Sequence, residues 1–185
     1  MSYAPALDKA WKDIAAETSE ERFSIKFISD TYDIDIAQKR ILSVSCNSSA
    51  KDYTSIILLH YLIKNLALGN LPGLTGEWKE FRELVGGEAY YPAFKKRTID
   101  HILTKYGSNP DALLSATERM NAKRSGLGDV GIVIYPFDQV SLLVKISRAD
   151  EEFGADGAIL FDSNIEKIFC MEDIVVLTEI IIHQL

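Results

Sequence analysis

Cysteine is scarce in this sequence: Cys46 and Cys170 are the only two in 185 residues. Two widely separated thiols fit neither a disulfide framework nor a metal knuckle, so both are expected to be reduced, buried and without metal. Long apolar runs are missing too. The longest, Ile56 to Leu68, is broken by His60, Lys64 and Asn65 and is too short to span a bilayer. Residues Met1 to Lys12 lack a basic start followed by an apolar stretch, so no secretory signal is expected, and the Asn47-Ser48-Ser49 acceptor pattern carries no weight. A cytoplasmic location with no membrane partner follows as the expectation. Positive charge is also short, with 20 Lys and Arg against 27 Asp and Glu and a formal charge of −7, which argues against a nucleic-acid partner.

Catalytic motifs are equally sparse. The Gly-Lys-Ser/Thr phosphate loop and the Gly-x-Ser-x-Gly elbow are both missing. Gly126-Leu127-Gly128-Asp129-Val130-Gly131 spells the dinucleotide fingerprint. A helix is expected before it and a strand after it, so a pyrophosphate would meet no helix N-terminus, and the stretch reads as a turn. His60, His101 and His183 each fall in an expected helix without a second ligand three or four positions away, so no zinc helix is written in the sequence. No cofactor, no metal ligand set and no catalytic residue can be named from these patterns.

What is present is an ordinary globular composition, 47% hydrophobic and 25% charged, at a length that suits one core, so residues 1–185 are expected to form a single domain. Leu7, Ala10, Trp11 and Ile14 recur at helical spacing over residues 5–17. Phe23, Ile25 and Phe27, then Tyr32, Ile34 and Ile36, alternate with polar residues and predict two strands with one buried face, leaving Lys26, Asp33 and Asp35 outside. Leu42, Val44 and Cys46 predict a third strand with those three facing in. Residues 51–68 read as a buried helix closed by Gly69. Residues 74–87 are ambiguous between helix and loop, and helices are expected over 88–106 and 110–123. On the first of these, Tyr90 and Tyr91 with Lys95, Lys96 and Arg97 read as a core stripe under a basic outer face.

Strands are expected at Val130–Tyr135, Val140–Ile146 and Ala158–Phe161. A Ser163/Glu166 capping box should open a short helix, and a terminal helix should follow Glu172-Asp173. Strands in two blocks, about 22–46 and 130–161, separated and covered by helices, give an α+β fold with antiparallel pairing.

Charge is patterned along the chain. Residues 95–124 carry seven bases and three acids, and residues 148–173 eight acids and two bases. These make either two solvated faces or complementary patches that face each other across the fold or dock two copies as a homodimer. Within the acidic stretch, Asp150, Glu151 and Glu152 precede a strand that exits at Asp162; convergence with Glu77 or Glu172 would give an acid/base pair or a hard-cation site.

The run Thr75-Gly76-Glu77-Trp78-Lys79-Glu80-Phe81-Arg82-Glu83-Leu84, with Gly86-Gly87, Tyr91, Phe94 and Arg97, resembles one signature of a bacterial and archaeal domain-of-unknown-function family, DUF3786. Asp150-Glu151-Glu152-Phe153, Ala158 to Asp162 and Glu172-Asp173 resemble its second. The resemblance implies a setting in anaerobic metabolism and no assigned activity. Some relatives are labelled iron–sulfur proteins, but two cysteines cannot supply the four thiolates of a cluster. The reading is an accessory or ligand-binding domain for an unknown small molecule or protein, with a surface of Glu77, Trp78, Arg82, Arg97, Asp150, Glu151, Glu152 and Asp162. Such a surface requires one or both arginines to fork onto those carboxylates. The alternative is an enzyme using the carboxylates as metal ligands or as acid and base.

Overall fold

The computed structural model describes residues 3–185, and by its internal contacts the chain divides into two compact units, residues 1–72 and 73–185. The secondary structure is α+β, with two separate antiparallel sheets.

In the first unit, helix α1 (Ala4–Glu17) buries Ala10, Trp11 and Ile14 and packs on helix α2 (Asp52–Leu68). Gly69 caps α2 at φ 69°, a left-handed conformation that costs glycine nothing. Between the helices runs a meander of β1 (Arg22–Phe27), β2 (Asp30–Asp35) and β3 (Arg40–Ser43). Its register pairs Phe23 with Ile34 and Ile25 with Tyr32. Ile25, Phe27 and Ile34 are buried, Phe23, Tyr32 and Ile36 half-buried, and Lys26 and Asp33 exposed, as the alternation predicts; Asp35 is half-buried.

The third strand sits one residue out of the expected phase. Ile41, paired with Ile34, and Ser43, paired with Tyr32, face inward, whereas Val44 is 55% exposed and Cys46 lies in the exposed turn beyond. A one-residue slip exchanges the two faces of a strand. Here the slip places Ile41 on the apolar face and lets the buried Ser43 hydroxyl donate to the Asp30 carboxylate, a bond that an inward Leu42 could not make.

The second unit is built on a five-stranded sheet in the order β4 (Trp78–Glu80), β8 (Asp156–Asp162), β7 (Val140–Ser147), β6 (Val130–Phe137), β5 (Ala122–Ser125). Central β7 is buried on both faces through Val144, the reason its apolar run is continuous rather than alternating. Both edge strands lie where the sequence predicts none. Residues 74–87 form β4 and the 3-10 turn Phe81–Glu83, and residues 110–123 form a 3-10 turn (Pro110–Ser115), the short helix α5 (Ala116–Arg119) and the start of β5. Three- and four-residue edge strands are too short to show a period. Because β5 precedes β6, the Gly126–Gly131 stretch is a strand-to-strand turn with Gly128 at φ 77°, and no helix receives a phosphate there.

The helix expected over 88–106 is two, α3 (Gly87–Arg97) and α4 (Ile99–Tyr106), broken at the buried Thr98, whose hydroxyl returns to the Phe94 carbonyl. Gly87 is obligatory, since a Cβ there would lie 1.8 Å from the Phe81 carbonyl oxygen. The stripe on α3 is Phe94 rather than the tyrosines: Tyr90 is 55% exposed and Tyr91 half-buried. Phe94 stacks on Phe81 at 3.8 Å, and both rings approach Phe161 of β8 at about 6 Å. α6 (Ile165–Ile168) and α7 (Met171–Ile182) complete the unit. Asn164, not Ser163, stands at the cap of α6, and no side-chain capping bond forms.

Phe94→Ala removes one layer of this aromatic stack at a site with no exposure to fill it, and is expected to cost about 3–5 kcal/mol, read from urea unfolding at unchanged m-value.

Candidate functional site

The segment Thr75–Leu84 is tied to the end of β8 by one carboxylate. Asp162, 1% exposed, sits opposite Trp78 in the β4–β8 ladder. The backbone N–H of Thr75 reaches its two oxygens at 3.1 and 3.0 Å, the Thr75 hydroxyl donates at 2.9 Å, and the N–H groups of Gly76 and Asn164 donate at 2.8 and 3.1 Å. Gly76 at φ 76° turns the loop so that successive amides point at the same anion. Burial pushes the Asp162 pKa up, but these donors prevail and hold it below the ordinary carboxylate value.

Further bonds fasten the same loop. The Ser163 N–H donates to the Glu77 carbonyl at 2.8 Å, and the Asn164 amide donates to the carbonyls of Gly73 and Gln139 at 3.1 and 2.9 Å. Glu166, expected to close a capping box, instead accepts from the Val85 N–H at 2.7 Å and from Lys79 Nζ at 2.9 Å; burial pushes its pKa up, but the Val85 amide and then Lys79 prevail and lower it, and the bond to Glu166 raises the pKa of Lys79.

The other candidates do not join this cluster. Asp150, Glu151 and Glu152 lie before β8, next to the Ser147–Asp156 pair at the far end of the ladder. The six steps of β8 from Asp156 to Asp162 span roughly 20 Å at about 3.3 Å per residue. Asp150 closes its own turn, accepting the N–H groups of Glu152 and Phe153 at 2.9 and 2.7 Å, which lowers its pKa. Neither arginine forks onto these acids. Arg82 lies over the Tyr91 ring at 3.8 Å, and Arg97 bonds Glu179 of α7 at 3.1 Å. The expectation of an arginine partner fails for a physical reason: a carboxylate at a chain bend is satisfied by backbone amides, which need no ordering of a long side chain.

Among the described residues, no group of three or more His, Cys, Asp or Glu is placed to hold a metal ion, and no helix is long and apolar enough to cross a membrane.

Two features escaped the sequence reading. In the first unit, Asp30 accepts the Ser43 and Ser45 hydroxyls, and Ser43 and Ser48 lie within 3.0 Å of the Cys46 sulfur. Both cysteines are free and their residues exposed, not buried; the hydroxyls beside Cys46 lower its pKa, while partial desolvation of the sulfur raises that of Cys170. The serine-rich run Ser43 to Ser49 is the only signal for this turn. In the second unit the rings of His101 and His183, 82 positions apart, lie face to face.

A family comparison decides the kinship. The description "Domain of unknown function (DUF3786)" matches residues 6–184. The chain belongs to the DUF3786 family. The match runs through both compact units. Searches of curated proteins and of solved structures returned no match.

Asp162→Asn turns an amide toward the Thr75 and Gly76 donors and is expected to cost about 3 kcal/mol at neutral pH. Because the folded pKa is depressed, the carboxylate's contribution is present above the ordinary value of 3.8 and lost as pH falls through the folded value. Urea unfolding should therefore show the gap between wild type and variant beginning to narrow as pH falls below about 3.8 and the carboxylate's share of it gone once pH is below the folded value.

Proposed function

We propose that this DUF3786 chain is a cytoplasmic accessory or ligand-binding module, in the anaerobic metabolic setting its family resemblance implies, and that it works through the β4 edge and the turn that follows it. The observation that carries the reading is the strip the Asp162 cage holds in place. Trp78 is half-buried on an edge strand, Arg82 is exposed and stacked on Tyr91, and Val85 and Tyr90 are 85% and 55% exposed. Aromatic and arginine side chains on rigid backbone supply contact area at low entropic cost, the composition enriched at recognition surfaces. The ligand is a small molecule or a protein partner.

An enzyme using Glu77, Asp150, Glu151 and Asp162 together would need these groups to meet, and Asp150 and Glu151 lie beside the start of β8 whereas Glu77 and Asp162 lie at its end. The lone pairs of Asp162 are moreover already engaged by backbone donors, which leaves it poorly suited to proton transfer. That the family match crosses residues 72 and 73 supports the two units acting as one module.

A thermal-shift screen of metals, cofactors and small anions tests the proposal, since any ligand of the native state raises the melting temperature by mass action. Arg82→Ala, which removes an exposed cation–π contact, is expected to cost under about 1 kcal/mol and to abolish the response to whichever compound scores. A response that survives Arg82→Ala and Trp78→Ala together, yet disappears in Asp150→Asn, would return the working surface to the other end of the strand.

A further inference from the structure

Three places outside the β4 strip gather chemistry. The carboxylate, hydroxyls and thiol around Cys46 bond to one another, and the His101 and His183 rings stack face to face, so their in-plane lone pairs do not converge. The third is a cavity of about 460 Å³ on the outer face of the β1–β3 meander.

We infer that this cavity binds a small zwitterion of the α-amino acid class, its carboxylate held by Arg22 and Arg40 and its ammonium by Asp33. The strand register builds the site. Arg22, Asp35 and Arg40 stand side by side across the three strands, and Ser24, Asp33 and Leu42 form the next row on the same face, about 7 Å along the strands. Phe23 and Ile34, between the rows, turn their side chains to the opposite face and contribute main chain to the floor. The long side chains of Arg22, Arg40 and Leu42 belong to the two edge strands, whereas central β2 carries the shorter Asp33 and Asp35. Long residues at the rim and short ones on the floor hollow the exposed sheet face.

The two rows carry opposite unspent charge. In the first, Arg22 Nε lies 3.5 Å from Asp35 Oδ2, and Asp35 Oδ1 accepts the Gln38 N–H at 2.8 Å. That carboxylate is engaged on both oxygens, while the terminal nitrogens of Arg22 take no part in the pair. Arg40 makes no side-chain hydrogen bond or ion pair among the described residues, so its five donors are unspent. This row is one positive charge in excess, presented as guanidinium forks that match a carboxylate. In the second row the Ser24 hydroxyl donates to Asp33 Oδ1 at 2.9 Å, and Oδ2 accepts nothing among the described residues. That row is one negative charge in excess, beside the apolar surface of Leu42.

A ligand of a single sign meets repulsion from one row, an anion from Asp33 and a cation from the arginines. A molecule that carries both signs a few bonds apart matches both rows, and its aliphatic part has Leu42 to lie against. The volume falls within the roughly 300–1,000 Å³ of small-molecule sites. The site lies in the first unit, and the inference does not rest on the β4 strip.

The test is titration of the full chain with free L-amino acids, namely leucine, methionine, serine and glycine, followed by backbone amide shifts and by calorimetry near neutral pH. At least one is expected to saturate below about 10 mM and to move the amides of Ser24, Asp33 and Arg40. The N-acetyl and carboxamide derivatives of that amino acid each lack one charge and are expected to bind at least about tenfold more weakly, and Arg40→Gln and Asp33→Asn should each lose as much. Both side chains are exposed, so the ligand-free variants should melt with wild type. Lys26→Gln, on the same face but outside the cavity, should bind as wild type. No saturation by any of the four, undiminished binding of either derivative, unchanged affinity in the Arg40→Gln/Asp33→Asn double variant, or shifts confined to Trp78 and Arg82 would each overturn the site.

Discussion

A buried carboxylate held by amides and a hydroxyl organises the second unit. Asp162 would be prohibitively costly at 1% exposure if its charge were unmet, and it is met by amides and a hydroxyl drawn from Thr75, Gly76 and Asn164. Those donors exist in that geometry only if the loop entering β4 wraps the end of β8. Once it does, Trp78 falls opposite Asp162, Lys79 and Val85 converge on Glu166, and the 3-10 turn delivers Phe81 to Phe94. One ionised group thereby couples a loop, an edge strand and an aromatic core.

The same arrangement limits what chemistry the acids can do. A general acid or base needs a lone pair or proton it can exchange, and a metal ligand needs one it can share. Asp162 spends its oxygens on the backbone, Asp150 spends one on its own turn, and Glu166 divides its two between Val85 and Lys79. A recognition surface makes no such demand, because its requirement is rigidity under exposed side chains, and rigidity is what satisfied carboxylates supply.

The periodic elements were legible in advance and the aperiodic ones were not. Phe23, Ile25, Phe27 and Ile34 announce a half-buried hairpin because alternation repeats over several residues. The phase of the following strand is not legible, since Leu42 and Val44 are as apolar as Ile41 and only the pairing of Ser43 with Tyr32, and its bond to Asp30, decides between them. The candidate acids are legible by type but not by partner: a forked arginine among them is what their charge suggests, and Arg82 goes instead to an aromatic face and Arg97 to Glu179.

By itself the sequence determined the α+β class, the two antiparallel blocks, the amphipathic α1, the capped α2 and the kinship to DUF3786, all properties carried by neighbours within a turn or two or by long matched signatures. Only the tertiary structure decided that Asp150 and Asp162 stand at opposite ends of one strand, that both thiols are exposed, and that His101 meets His183. The reason is range. Local patterns record which way a side chain points relative to its own element, whereas the partner it meets depends on strand register and helix docking, which residues far apart in the chain settle together.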